Sequence, residues 1–240
     1  MALSLADRIG IGDHELVSIV GAGGKSTILF LLGRELAIPT GRVILTTTTK
    51  MAADQITEPT CWSDDPTEVE SMLEPGRPLF VVTGEVPGKA TGPTAEATDR
   101  LFLETAADHL IVEADGARSM SIKAPADHEP VITDLSTTVV VVVGIDAIGR
   151  PISKVAFRPD LVAKIAGVGE HDSLTTANAA DVLLAPNGGL KNIPETARVV
   201  MALTKVTPET EESATELAAI LNAHPRVDRV VTLAGRPVEQ

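Results

Sequence analysis

The sequence is poor in cysteine, poor in positive charge and without a long apolar run, and each shortage removes a class of function. Cys61 is the one cysteine in 240 residues. An internal disulfide needs two, and cysteine-built zinc or iron–sulfur sites need several, so both are excluded. A lone thiol suits a reducing compartment, and a cytoplasmic protein is expected. Cys61 sits in "PTCWSDDP", away from every motif below, and reads as a small buried residue rather than as a covalent carrier. Lys and Arg total 20 against 33 Asp and Glu, a net charge of −13. Nucleic-acid backbone and anionic membrane would repel such a surface, so neither is expected as a partner. The longest apolar stretches, such as "TTVVVVVGI", are strand-sized and fall short of the ~20 residues of a membrane-spanning helix. The opening "MALSLADRIGIGDHELV" lacks the basic start and apolar core of a signal peptide.

What is there describes a globular chain, 44% hydrophobic and 22% charged, long enough for a sizeable core. Strand-like segments recur: residues 16–20, "RVILTTTT" (42–49), "LFVVTG", "HLIVEADG", "TTVVVVVGI", "RVVMALTK" and "RVVTLAG". The fifth is apolar on both faces, so helices should cover it from both sides. Helical patterns lie between them. Ile28, Leu29, Leu32 and Leu36 recur at helical spacing. Asp65 and Pro66 are suited to the N-cap and first turn of a short helix. "AEATDRLFLETAA" reads as a helix, and Ala214, Leu217, Ala218 and Leu221 share one face of another. This alternation predicts an α/β fold with a mostly parallel sheet of about seven strands and helices on both faces. Residues 155–195 depart from it: "FRPDLVAKIAG" and "SLTTANAADVLLA" are helical, which predicts a helical insertion before the sixth strand. A single domain, residues 1–240, is expected.

The motif with the most chemistry is "VGAGGKST", between the first strand and the first long helix. Glycines let a backbone wrap a phosphate closely, with N–H groups pointing inward. A lysine reaches terminal phosphates, a Ser or Thr hydroxyl holds Mg²⁺, and a helix N-terminus favours an anion. Gly21, Ala22, Gly23, Gly24, Lys25, Ser26 and Thr27 fit this pattern. The usual eight-residue spacing would place a glycine at position 19, where Ile19 stands. The shorter G-x-x-G-K-S-T form resembles the loop of Mur-type ligases, although no second substrate domain of that kind is visible. A dinucleotide fingerprint would need a third glycine where Ser26 stands, and an acid at the end of the second strand. That strand instead ends "TTTTKM", so NAD or FAD is not expected. A plain strand–turn–helix corner would explain the glycines but gives no reason for Lys25.

Two further strand ends join the pattern, because ligands of open α/β sheets bind at the carboxyl ends of the strands. In "TTTTKM", Thr46, Thr47, Thr48 and Thr49 offer hydroxyls and Lys50 a charge; Thr48 and Lys50 are nucleotide-binding candidates. In "LIVEADGARS", Glu113 and Asp115 are the carboxylates a Walker B site requires. Two apart, they share one face of an extended segment. Glu113 is the candidate for Mg²⁺ together with Ser26, and Asp115 is a candidate for the second shell or for positioning a nucleophile. The polar segment that follows supplies Arg118, Lys123, Asp127, His128 and Glu129 as candidate substrate residues. His128, beside two acids, is suited to binding metal or moving a proton.

Together, "VGAGGKST", "TTTTKM", "VEADGARSMSIKAPADHEPVI", "VVVGIDAIGRPI", "FRP" and "PNGGLKNIP" resemble the YqeC-type selenium-dependent hydroxylase accessory proteins of selenium-cofactor biosynthesis. The resemblance runs through nearly the whole chain in order, most specifically over residues 112–132. It implies a P-loop NTPase-like fold, ATP or GTP with Mg²⁺, and a link to maturation of selenium-containing molybdenum hydroxylases. Gly21, Gly24, Lys25 and Ser26 match the family's phosphate loop, and Glu113 and Asp115 its acidic strand end. Family members often carry a guanine-reading motif of the asparagine–lysine–x–aspartate kind after the sixth strand. Here the segment is Thr204, Lys205, Val206 and Thr207, so the acid that would accept from guanine is missing. This leans towards ATP and leaves the base open.

Two functions are therefore expected to compete. One is Mg²⁺-dependent nucleotide hydrolysis or phosphoryl transfer, with Lys25, Glu113 and Asp115 as catalytic residues. The other is a non-catalytic, nucleotide-controlled chaperone or delivery factor for a molybdopterin or selenium species. The expected partners are the nucleotide and a molybdenum hydroxylase or its cofactor-maturation proteins.

Overall fold

A computed structural model describes residues 3–235. The elements run α1 (Leu5–Ile9), β1 (Glu15–Gly21), α2 (Lys25–Ala37), β2 (Val43–Thr47), β3 (Lys50–Ala52), β4 (Thr60–Cys61), α3 (Pro66–Met72), β5 (Leu79–Val81), β6 (Gly84–Val86) and β7 (Lys89–Thr91). After these come α4 (Ala95–Glu104), β8 (His109–Glu113), β9 (Ile122–Lys123), β10 (Thr138–Gly144), α5 (Ile152–Val155), β11 (Ala156–Phe157), α6 (Pro159–Ala166) and α7 (Thr176–Leu184). The chain closes with β12 (Arg198–Val206), α8 (Glu211–Asn222) and β13 (Arg229–Ala234).

Eight strands form one sheet in the order β13-β12-β10-β1-β8-β2-β5-β4. Every pairing in it is parallel. The valine run of β10 explains why this strand lies inside the sheet. Val139, Val141 and Val143 pack into the core on one face, while Val140 and Val142 pack into the core on the other. Each fully buried valine contributes about 1.5–3 kcal/mol relative to an exposed one. Helices α1 and α2 cover one face through Leu5, Ile9, Ile28, Leu29 and Leu32. Val69, Leu101, Val162, Leu183 and Leu217, from α3, α4, α6, α7 and α8, cover the other.

The sheet thus has one strand more than the seven expected. The extra strand, β4, has two residues at the sheet edge and is too short to show a period. The second strand is also shorter than "RVILTTTT" implied. It ends at Thr47, Thr48 and Thr49 bend, and Lys50 opens β3. That strand joins β7 and β6 in a small antiparallel sheet of order β3-β7-β6. A Pro87–Gly88 pair connects β6 to β7, with Gly88 at φ +72, the positive φ that a type II turn takes at the position after its proline. The helical segments expected within 155–195 are α6 and α7.

From β1 the chain passes to β2 and to β4 at the edge, comes back inward through β5 and β8, and then grows on the other side of β1 through β10 and β12 to β13. Beside β1, the direction of winding reverses. A crevice at the carboxyl ends of the strands is the geometric consequence.

Candidate functional site

The corner after β1 is built by close backbone contact. Gly21, at φ +93, lies against β10: a Cβ there would strike the carbonyl oxygen of Val142. Gly23, at φ +96, lies against Gly144 in the same way. Side chains are excluded at both positions by conformation and by space. Thr204, from β12, donates its hydroxyl proton to the Gly23 carbonyl. Helix α2 begins at Lys25, its N-cap Gly24 provides no side-chain cap, and its first turn holds no acid. The amide end of the helix dipole is therefore neither capped nor neutralised by its own side chains.

Four charged or polar side chains, Lys25, Ser26, Glu113 and Asp115, converge at this corner. Ser26 donates from Oγ to Glu113 Oε2 at 2.8 Å. Lys25 donates from Nζ to the Gly21 carbonyl at 2.9 Å. The same ammonium lies 3.8 Å from Glu113 Oε1 and 3.2 Å from Asp115 Oδ1. The pairing of β1 with β8, which sets Ile19 opposite Glu113, brings the acidic strand end beside the glycine loop. Burial pushes the Glu113 carboxyl above its ordinary value, against the pull of Lys25 and the Ser26 hydroxyl.

Glu113 and Asp115 part company beyond this point. Glu113 lines the cleft. Asp115 is 2% exposed and faces a water-sized cavity of about 20 Å³ behind the loop. Its Oδ2 accepts from the Gly21 amide at 3.0 Å and pairs with Lys123 Nζ at 2.9 Å. Its Oδ1 is near Lys25 but, among the described residues, accepts no hydrogen bond. Lys123 also reaches Glu129 Oε2 at 2.9 Å and donates to the Gly116 carbonyl at 2.6 Å. Arg158 pairs with the same Glu129 oxygen at 2.7 Å, and its guanidinium lies 4.3 Å from the centre of the Phe157 ring. The result is a chain of alternating charge, Lys25–Asp115–Lys123–Glu129–Arg158, from the glycine loop to the helical insertion. Burial alone would raise Glu129; hydrogen bonds from Arg158 and Lys123 outweigh it and hold its carboxyl down to about 2.

The cleft in front of the loop has a volume of about 840 Å³. Of the candidates read from sequence, Gly23, Gly24, Lys25, Ser26, Thr27, Thr48, Lys50, Glu113, Arg118, His128 and Glu129 line it. Gly21, Asp115 and Lys123 line the small cavity behind. Ala22 is fully buried, and Asp127 is exposed and lines neither. Thr46 and Thr47 are fully buried and satisfy backbone carbonyls of Val81 and Glu113.

Other residues of the site were not legible as such. Lys89 enters from β7, Gln55 from the turn after β3 and Phe157 from β11. The Pro87–Gly88 hairpin signal could have located Lys89; nothing in the sequence marks Gln55. Lys205 also lines the cleft, donating to Ser121 Oγ at 2.8 Å and Asp146 Oδ2 at 3.0 Å. Arg118, Ser119, Arg158 and Lys205 all adopt positive φ, between +46 and +61. Such strain persists where surrounding structure over-determines it.

Among the described residues, no three His, Cys, Asp or Glu side chains converge on one point. Ser26 and Glu113 fit a divalent cation that takes its remaining ligands from water and phosphate oxygens, which is the habit of Mg²⁺. Among the described residues, no helix is long and apolar enough to cross a membrane.

The fold and site define an α/β protein with a parallel sheet and a lysine-bearing glycine loop opening on a cleft at its carboxyl edge. A family model described as "YqeC protein" matches residues 17–160. A protein of Escherichia coli (strain K12), described as "Uncharacterized protein YqeC", is 32% identical over 213 residues, 87% of this chain and 83% of its own. The chain belongs to the YqeC family.

Proposed function

We propose that the cleft binds a nucleoside triphosphate with Mg²⁺ and hydrolyses it or transfers its terminal phosphoryl group. The observation that carries this reading is the 2.8 Å bond between Ser26 Oγ and Glu113 Oε2, beside Lys25 and at the open end of α2. A hydroxyl and a carboxylate joined in this way can hold one cation together. The amides of the glycine loop and the first turn of α2 then receive the phosphates, and Lys25 exchanges its carboxylate partners for them. Bound Mg²⁺ would neutralise charge that develops on the phosphoryl oxygens. Glu113, on the cleft side, aligns the attacking group; Asp115 positions Lys25 from behind. Membership of the YqeC family, whose resemblance implies selenium-cofactor biosynthesis, supports a role in maturing a selenium- and molybdenum-containing hydroxylase. ATP is favoured over GTP by Thr207, which stands where guanine reading requires an acid.

A second reading is favoured by the charge chain from Lys25 to Arg158. Phosphates that draw Lys25 forward would release Asp115 and loosen the insertion, as in a nucleotide-controlled delivery factor with little turnover. Phosphate release separates the two readings: steady turnover with Mg²⁺ and ATP or GTP supports the enzyme, and binding without turnover supports the delivery factor. Thermal shift tests what they share. Either nucleotide with Mg²⁺ should raise the melting temperature, and Lys25→Ala should weaken binding by about ten- to hundredfold, the loss of a charge-assisted contact. No shift with either nucleotide defeats both readings.

A further inference from the structure

The cleft has a second group of cations outside the glycine loop, among them Lys50, a nucleotide-binding candidate in the sequence. Across the whole chain acids outnumber bases, 33 to 20. Along the cleft the balance reverses: Lys25, Lys50, Lys89, Arg118 and Lys205 line it against Glu113 and Glu129. Lys25 and Lys205 have carboxylate partners. Among the described residues, Lys50, Lys89 and Arg118 form no salt bridge.

Strand register explains how two of these come together. In the antiparallel pair β3–β7, Lys50 lies opposite Thr91 and Ala52 opposite Lys89. Opposed residues share a face, and so do residues two apart along a strand. Lys50 and Lys89 therefore project from one face of the small sheet. The intervening pair Met51 and Ala90 turns the other way and is buried. Arg118 enters from the segment after β8, on backbone held at φ +46, with its guanidinium 5.5 Å from the centre of the Phe157 ring. An acidic protein that exposes three uncompensated cations to one concave surface concentrates anions there. The cleft volume of about 840 Å³ lies in the upper part of the range for small-molecule sites, about 300–1,000 Å³.

We propose that Lys50, Lys89 and Arg118, which line the same cleft as the glycine loop, form a second anion subsite for the phosphate group of a phosphorylated small-molecule second substrate. The assignment rests on the nucleotide reading in one respect: it makes this molecule the partner of the nucleotide at the loop. The subsite itself is built from residues outside the loop, so the two can fail separately.

The test uses inorganic phosphate as the probe, with binding followed by calorimetric titration. Wild-type protein saturated with Mg²⁺ and a non-hydrolysable ATP analogue should still bind phosphate. The double variant Lys89→Gln with Arg118→Gln should bind phosphate about tenfold or more weakly, the loss expected for charge-assisted contacts. Its affinity for the analogue should change by a much smaller factor. Both side chains are exposed, and an unchanged melting temperature verifies folding. A loss of analogue affinity equal to the loss of phosphate affinity overturns the proposal, because the cations would then hold the nucleotide's own phosphates. Absence of phosphate binding to the saturated protein overturns it as well. If the analogue does not bind at all, the titration is made on Lys25→Ala. Phosphate binding that the double variant abolishes in that background sustains the subsite while the nucleotide reading falls; none overturns both.

Discussion

The two walls of the cleft treat charge in opposite ways. On the loop wall, Lys25 is 5% exposed and the neighbouring charges are tied to one another: Glu113 to Lys25, Asp115 to Lys123, Glu129 to Arg158. On the wall built by β3 and β7, Lys50 and Lys89 stand exposed, as does Arg118 beside the Phe157 ring, and among the described residues none of the three has a carboxylate partner. Low-dielectric surroundings strengthen the paired ions and make each costly to leave alone. Water screens the others, so their removal costs the fold little. One wall is organised before any ligand arrives. The other is a field that acts at a distance.

The sharpest way to break this contrast is to remove Asp115, which links the loop to the rest of the charge chain. Asp115→Ala leaves Lys25 and Lys123 buried with one fewer counter-charge. It should destabilise the protein by about 3–5 kcal/mol, measured by chemical denaturation; a cost below about 1 kcal/mol, the scale of a surface pair, would mean that the chain is not organised as described.

A second test sets two carboxylates of the loop wall against each other. Glu113, raised by burial from 4.5, takes up a proton more readily in the folded state than in the unfolded chain. Its stabilising contribution is complete below about 4.5 and is lost as pH rises through the raised value. Glu129, held down to about 2, contributes above 4.5 and loses that contribution as pH falls from there through about 2. Glu113→Gln should therefore raise the melting temperature at neutral pH and Glu129→Gln should lower it. The first difference should shrink as pH falls to 4.5, and the second between 4.5 and 2. Shifts of the same sign at neutral pH would count against the assignment.

The smallest expected effect sharpens the comparison from the wall built by β3 and β7. Lys89→Gln should change stability by no more than about 0.5 kcal/mol, as surface substitutions do. A larger loss of melting temperature would show Lys89 to be part of the packed structure.

Legibility in the sequence followed the length of each signal. The valines of β10 and the spacing of Ile28, Leu29 and Leu32 are long patterns, and both elements lie where those patterns put them. Strands β3, β6 and β7 have three residues each, which is less than a pattern of period two needs to declare itself. The wall carrying Lys50 and Lys89 was therefore hidden, apart from the turn at Pro87 and Gly88. Glu113 and Asp115 were placed on one face because they are two apart. Strand β8 ends at Glu113, and past the strand end alternation no longer assigns faces.

The sequence by itself determined the α/β class, the lysine-bearing glycine corner and the acidic strand end, because each depends on residues close together along the chain. Tertiary structure alone decided that Glu113 faces the cleft and Asp115 the cavity behind it. It also decided that Arg158, 29 residues beyond Glu129, completes the charge chain, and that Lys89 and Arg118 share a cleft. Those outcomes depend on strand order and on which distant segments the folded backbone brings within a few ångströms, and local periodicity contains no information about either.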